Sequence, residues 1–154
     1  TTPFTYNTLS GLSLPITFVN FTNVFLGQQN VPSSPLYLNN TGNEDYDMLN
    51  VSANLLRGTT VTTETIAATS FYANISNETA GGGMQLAATP VSIIEWTGPN
   101  NGRNVTFMHG HTGAFAPKAD KGNRSVFFWV DVPSSGLSSQ LYNATWNVTV
   151  INNP

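Results

Sequence analysis

The sequence predicts an all-β protein, an antiparallel β-sandwich of the pilin or immunoglobulin kind. Three observations carry that prediction. Short runs rich in Val, Ile, Thr, Phe, Tyr and Trp recur along the 154 residues, as strands require. Clusters of Gly, Pro, Asn and Ser separate them. No segment makes a convincing helix. Many short strands with regular turns fold into sandwiches or barrels.

Taken in order, the first run is 4–9, which has strand composition and no sequon. Gly11 interrupts it, and a second run over 14–25 follows with the phase Leu12, Leu14, Ile16, Phe18. The next runs are 35–38, then 47–56 and 59–66, then 70–75. Of these, 50–57 is the nearest thing to a helix, but it is short and reads better as a strand. Past the Gly81-Gly-Gly83 turn come 84–88 and 91–97, and after residues 98–102 comes 104–109. Residues 125–132, Ser-Val-Phe-Phe-Trp-Val-Asp-Val, are apolar on both faces. That marks a central strand, either with a partly exposed aromatic or with a second cover. Residues 141–151 form the last and most regular run. The expected core is Phe21, Val51, Ile75, Ile93, Val105, Phe107, Phe127, Trp146, Val148 and Val150.

Nine Asn-x-Ser/Thr acceptors stand at Asn20, Asn39, Asn50, Asn74, Asn77, Asn104, Asn123, Asn143 and Asn147. Chance placement of the same residues gives about four. Such density predicts a sugar-coated surface on a chain that has crossed a membrane. Their spacing carries a second message, because alternate strand residues face opposite ways. The middle residue is apolar in six of the nine: Phe21, Val51, Ile75, Val105, Ala144 and Val148. In 141–151, Tyr142, Ala144, Trp146, Val148 and Val150 alternate with Asn143, Thr145, Asn147 and Thr149. The first set would line a core and the second would carry glycans.

Composition narrows the class. The length suits one domain with a sizeable core. Charged residues are only 8%, against roughly a quarter in ordinary soluble proteins, so the surface needs glycans for solubility. The net charge of −3 and five scattered cations give no stripe for nucleic acid. There is no Cys, which is unusual for an animal ectodomain and suits an archaeal surface protein. Few ionisable groups also suit an acidic medium. No apolar stretch reaches about 18 residues, so the mature chain is read as having no membrane span. The start at Thr1 reads as a processed form whose signal segment has gone. The lack of an N-terminal apolar helix sets it apart from type IV pilins and archaeal flagellins.

Catalytic signals are weak. His109-Gly-His111 supplies two imidazoles, and a metal site needs three or four ligands. Asp120 is the nearest acid. Glu64, Glu95 and Asp131 lie in or beside strands, but nothing selects a glycosidase pair from them. Residues 44–47 lack the EF-hand pattern, and Gly81-Gly-Gly83 lacks the Lys-Ser/Thr of a P-loop. The chain is therefore read as a non-enzyme with no cofactor beyond covalent N-glycans. The 1–10 segment is either the first strand of its own sandwich or a tail that fills a groove in a neighbouring copy.

Residues 1–10, the nine sequons and the 141–151 strand together resemble the subunit of the archaeal thread, a Sulfolobus-type surface filament. The resemblance is one of overall pattern along the whole chain. It implies a sandwich like that of type I pilins, located outside the cell. It implies a donor strand over residues 1–11, with Phe4 and Tyr6 on one face and Leu9 near the hinge, and a single sandwich domain over 12–154. It also implies identical subunits joined head to tail by donor-strand complementation, for adhesion or biofilm. Two alternatives stand beside it. One is an adhesin-like carbohydrate-binding module built on Trp96, Trp129 or Trp146, and the other is a jelly-roll glycosidase.

Overall fold

The computed structural model describes residues 11–42, 46, 48–77, 83–93, 95–96, 102–103 and 122–151. The expected strands 4–9 and 104–109 lie outside these residues. So do Phe4, Tyr6, Leu9, Asn104, Val105, Phe107 and the two His residues. The strands are β1 (Leu12–Ser13), β2 (Val31–Pro32), β3 (Leu36–Asn40), β4 (Met48–Ser52), β5 (Leu56–Gly58), β6 (Thr65–Ile66), β7 (Phe71–Asn74), β8 (Met84–Gln85), β9 (Val91–Ile93), β10 (Glu95–Trp96), β11 (Gly102–Arg103), β12 (Asn123–Val130), β13 (Tyr142–Asn143) and β14 (Asn147–Ile151). Among the described residues the helical content is one 3-10 turn over Ala68–Ser70. All pairings are antiparallel.

The first layer has the order β1-β3-β12-β7-β8, with β2 also paired to β12. The second layer is a bent ribbon in two parts, β14-β4-β9 and β13-β5-β6. The core lies between the layers. Leu36, Leu38, Phe71, Ala73, Val126, Phe128 and Val130 come from the first layer, and Leu49, Val51 and Ile93 from the second. This is a β-sandwich of alternating inward residues, as the sequence pattern requires.

The single expected strand 141–151 is two strands. β14 pairs Asn147 with Ser52, while β13 pairs Asn143 with Arg57. Four residues on one side, 53–56, therefore face three on the other, 144–146. That one-residue excess is a bulge, which bends a ribbon and re-aims its side chains. Two hydrogen bonds stitch it: Trp146 Nε1 donates to the Asn54 carbonyl at 2.9 Å, and Asn54 Nδ2 donates to the Thr145 carbonyl at 2.8 Å. Ala144, expected inside, is exposed as a result. The same bulge divides the expected 47–56 strand.

Residues 14–25 take no strand conformation. Pro15 has no N–H to donate, and Asn23 adopts a left-handed φ of 56°. Leu14 and Phe21 still pack on the core, whereas Ile16 and Phe18 are exposed. The expected 59–66 strand shortens to β6, because 59–63 form a turn.

β12 is the central strand of its layer and is covered on both faces. Phe127 pairs with Asn74 and Trp129 with Tyr72 on the face away from the core. Phe127 is therefore a second-face residue and not part of the main core. Trp129 is fully buried there, 6.5 Å from the Phe127 ring. Val51 and Ile93 are buried, and Phe21, Ile75, Trp146, Val148 and Val150 pack half-buried against the core.

Candidate functional site: an apolar groove beside an open edge

β13 and β14 are both terminal strands of their sheets. Among the described residues, nothing pairs with their outer side. Among the described residues the 142–151 stretch is thus one open edge, broken only by the bulge. Such an edge presents unpaired N–H and C=O groups to any strand that approaches.

Beside this edge lies a cavity of about 730 Å³. Leu36, Phe128 and Val130 of the first layer form its floor, and Trp146 and Val148 form one wall. The irregular segment forms the other wall through Leu14, Phe18, Phe21 and Val24. The cavity is an open groove and not an enclosed void: its floor is apolar, and Thr17, Asn20, Gln140, Asn143, Thr145 and Asn147 are also in its lining. Exposed apolar side chains surround it: Phe18 is 66% accessible and Leu141 67%. Phe25 and Leu26 are also exposed, on the turn at Gly27.

Aromatic rings fix the shape of the groove. Phe71 sits 5.0 Å from Trp146 at 73° and 5.6 Å from Phe21, and Phe128 sits 5.8 Å from Trp146. Edge-on packing of this kind is favoured by the ring quadrupoles. The Trp146 ring thus ties the edge to the floor, and its Nε1 is held by the bulge.

One rim of the groove is a polar knot. Glu64 Oε2 accepts from Tyr142 Oη at 2.5 Å, from Ser138 N and Oγ at 2.8 Å, and from Gln140 Nε2 at 2.7 Å. These bonds, led by that from Tyr142, lower the Glu64 pKa from its ordinary value to about 2. A glycosidase acid needs the opposite shift. Asp131 accepts a hydrogen bond from Asn30 N at 2.8 Å, and Glu95 lies in β10 with its side chain outside the described residues. Of the three Trp residues considered for a sugar platform, Trp129 is buried and Trp146 is half-buried. Trp96 lies in β10, and its side chain is outside the described residues.

The described body begins firmly. Gly11 N donates to Tyr46 Oη at 3.0 Å, and the Gly11 carbonyl accepts from Thr41 N at 3.0 Å. A Cβ at Gly11 would lie 2.5 Å from Thr41 Oγ1. The nearest backbone atom, the Gly42 amide, lies at 3.2 Å, so a larger residue at Gly11 would require the Thr41 side chain to shift.

The sequons divide by exposure. Asn20, Asn77, Asn123, Asn143 and Asn147 are exposed, and Asn39 and Asn50 are half-exposed. Asn74 is fully buried, and its Oδ1 accepts from Ser76 N at 3.1 Å. Asn74 does lie opposite the core, as alternation predicts, but that second face is covered. An amide so enclosed leaves no room for a sugar in this fold. Three exposed sequon Asn residues, Asn20, Asn143 and Asn147, line the groove itself, a fact invisible without the fold.

The chain matches no family model, no curated protein and no solved structure.

Proposed function

We propose that this chain is the structural subunit of a heavily N-glycosylated extracellular filament. Residues 1–10 of one copy lie along the open edge 142–151 of the next and fill its groove. The observation that carries this reading is the coincidence of a strand edge that no described residue pairs with and a groove floored by core side chains. An added strand would satisfy both at once, giving backbone bonds to the edge and side chains to the slot.

The chain supplies a suitable strand. Residues 1–10, fully extended, reach about 33 Å. Phe4 and Tyr6 fall on one face of such a strand and bring aromatic bulk to Trp146 and Phe128. Pro3 suits the first position of an added strand, where no N–H is needed. Arm and groove are different surfaces, so the contact is head-to-tail and propagates without closing. Burial of several side chains along a full strand makes dissociation slow. The filament serves adhesion or biofilm formation at the cell surface, and the subunit has no catalytic role.

The test is deletion of residues 1–10, with Phe4→Asp/Tyr6→Asp as a milder variant. Electron microscopy of cell-surface material should show filaments for the unaltered chain and none for either variant. Filaments of ordinary length from the deleted chain would overturn the proposal.

A further inference from the structure

An open edge beside an apolar groove is an aggregation hazard before it is a binding site. Proteins usually protect such edges with Lys, other charges or Pro. Residues 141–151 contain no Asp, Glu, Lys, Arg or Pro. Instead this edge carries two exposed sequons, Asn143 and Asn147, and the opposite lip of the groove carries a third, Asn20. The side chains that turn from the same edge toward the core are Trp146, Val148 and Val150.

From this arrangement we infer that N-glycans on Asn20, Asn143 and Asn147 form a gate on the groove, admitting a single extended strand and turning away the edges of folded sheets. The inference rests on the filament reading and assigns a role to sugars at that same site. On β14 the sugar would rise from the solvent face while Val148 and Val150 face the core. A lone strand brings its apolar side chains into the slot and its polar ones outward, so it meets only the base of each glycan. A folded sandwich arriving edge-on brings a second layer and a broad face, and it collides with glycans on both lips. Each attachment forms a bond between the Asn Nδ2 and the anomeric carbon of a lipid-phosphate-linked oligosaccharide. The anomeric C–O bond breaks, the lipid phosphate leaves and Nδ2 gives up one proton.

The experiment uses the full chain in a host that glycosylates it. Two variants remove the rim sequons by different routes: Asn20→Gln/Asn143→Gln/Asn147→Gln, and Thr22→Ala/Thr145→Ala/Thr149→Ala. Asn39→Gln/Asn77→Gln/Asn123→Gln removes as many sequons away from the groove. Intact mass reads glycan loss, and electron microscopy with sedimentation reads the share of protein in amorphous aggregates. Both rim variants should raise that share at least five-fold over the control. Equal aggregation in rim and control variants overturns the gate, as does unmodified mass at the three rim Asn residues. An effect of the Gln set alone would implicate the Asn side chains and equally overturn it. If filaments depend on residues 1–10 while the rim variants match the control, the gate alone fails. If deletion of 1–10 leaves filaments intact, the filament reading fails and the gate falls with it.

Discussion

Val51 and Val148 are direct cross-strand partners, and each is the middle residue of a sequon. Their pairing sets Asn50 opposite Thr149 and Asn147 opposite Ser52. Two glycosylation motifs are thus interlocked residue for residue, with apolar centres on the core face and acceptors on the other. A one-residue slip of β14 against β4 would turn Asn147 toward the core and Val148 toward solvent, while Asn50 and Val51 kept their faces. The sequons at Asn50 and Asn147 therefore mark the strand phase.

Glycan occupancy should follow exposure and not motif count. Asn20, Asn77, Asn123, Asn143 and Asn147 are expected to be modified, and Asn74 to be bare. Peptide mapping by mass spectrometry after glycosidase labelling checks this. A fully occupied Asn74 would mean that the cover over the second face of β12 is absent when the sugar is added.

Core and groove residues should differ in their effect on stability. Phe128 is 1% accessible, and Phe128→Ala should cost about 3–5 kcal/mol. Trp146 faces the open groove and is only half-buried, so Trp146→Ala should cost less, about 2–3 kcal/mol. Denaturant unfolding of the unassembled subunit measures both. Equal losses would show that the groove is already closed in the monomer.

The Glu64 knot gives a pH signature. Its folded pKa is lowered from 4.5 to about 2, chiefly by Tyr142. A lowered pKa contributes stability that is fully present above the unfolded value and is lost as pH falls through the folded one. Glu64→Gln should therefore melt below the unaltered chain at pH 6, with the gap shrinking between about 4.5 and 2 and vanishing at lower pH. The knot is at the surface, so the gap should be small and reduced by salt. A gap that persisted undiminished at pH 1.5 would contradict the assignment.

Much of the fold was legible because strand alternation leaves a direct trace. Val51, Ile93, Val148 and Val150 fall on the core face as their spacing demands. The bulge was not legible, because residues 141–151 alternate without interruption while the excess residue lies in 53–56, far away in sequence. Residues 14–25 look like a strand by composition, but Pro15 and the left-handed Asn23 prevent it. The second face of β12 was visible as apolar character in 125–132, yet nothing local told that Trp129 would be enclosed and Phe127 set apart from the core. The apolar character of 125–132 and 141–151 was legible, but that they form the floor and one wall of a groove was not. The other wall, from Leu14 to Val24, arises only from tertiary placement.

Residues 1–10 of one subunit are proposed to occupy the groove of another. The chain has no Cys, so single cysteines can be introduced without background. Subunits carrying Thr5→Cys, which alternates with Phe4 and Tyr6 and so shares the outward face of an added strand, are co-expressed with subunits carrying one Cys at the outward-facing Thr145, Asn147 or Thr149, and filaments are assembled under mild oxidation. Donor-strand insertion in trans predicts covalent heterodimers, identified by mass, with at least one of the three positions. The contradicting result is no heterodimer at any position, together with an internal disulfide when both cysteines are placed in the same chain.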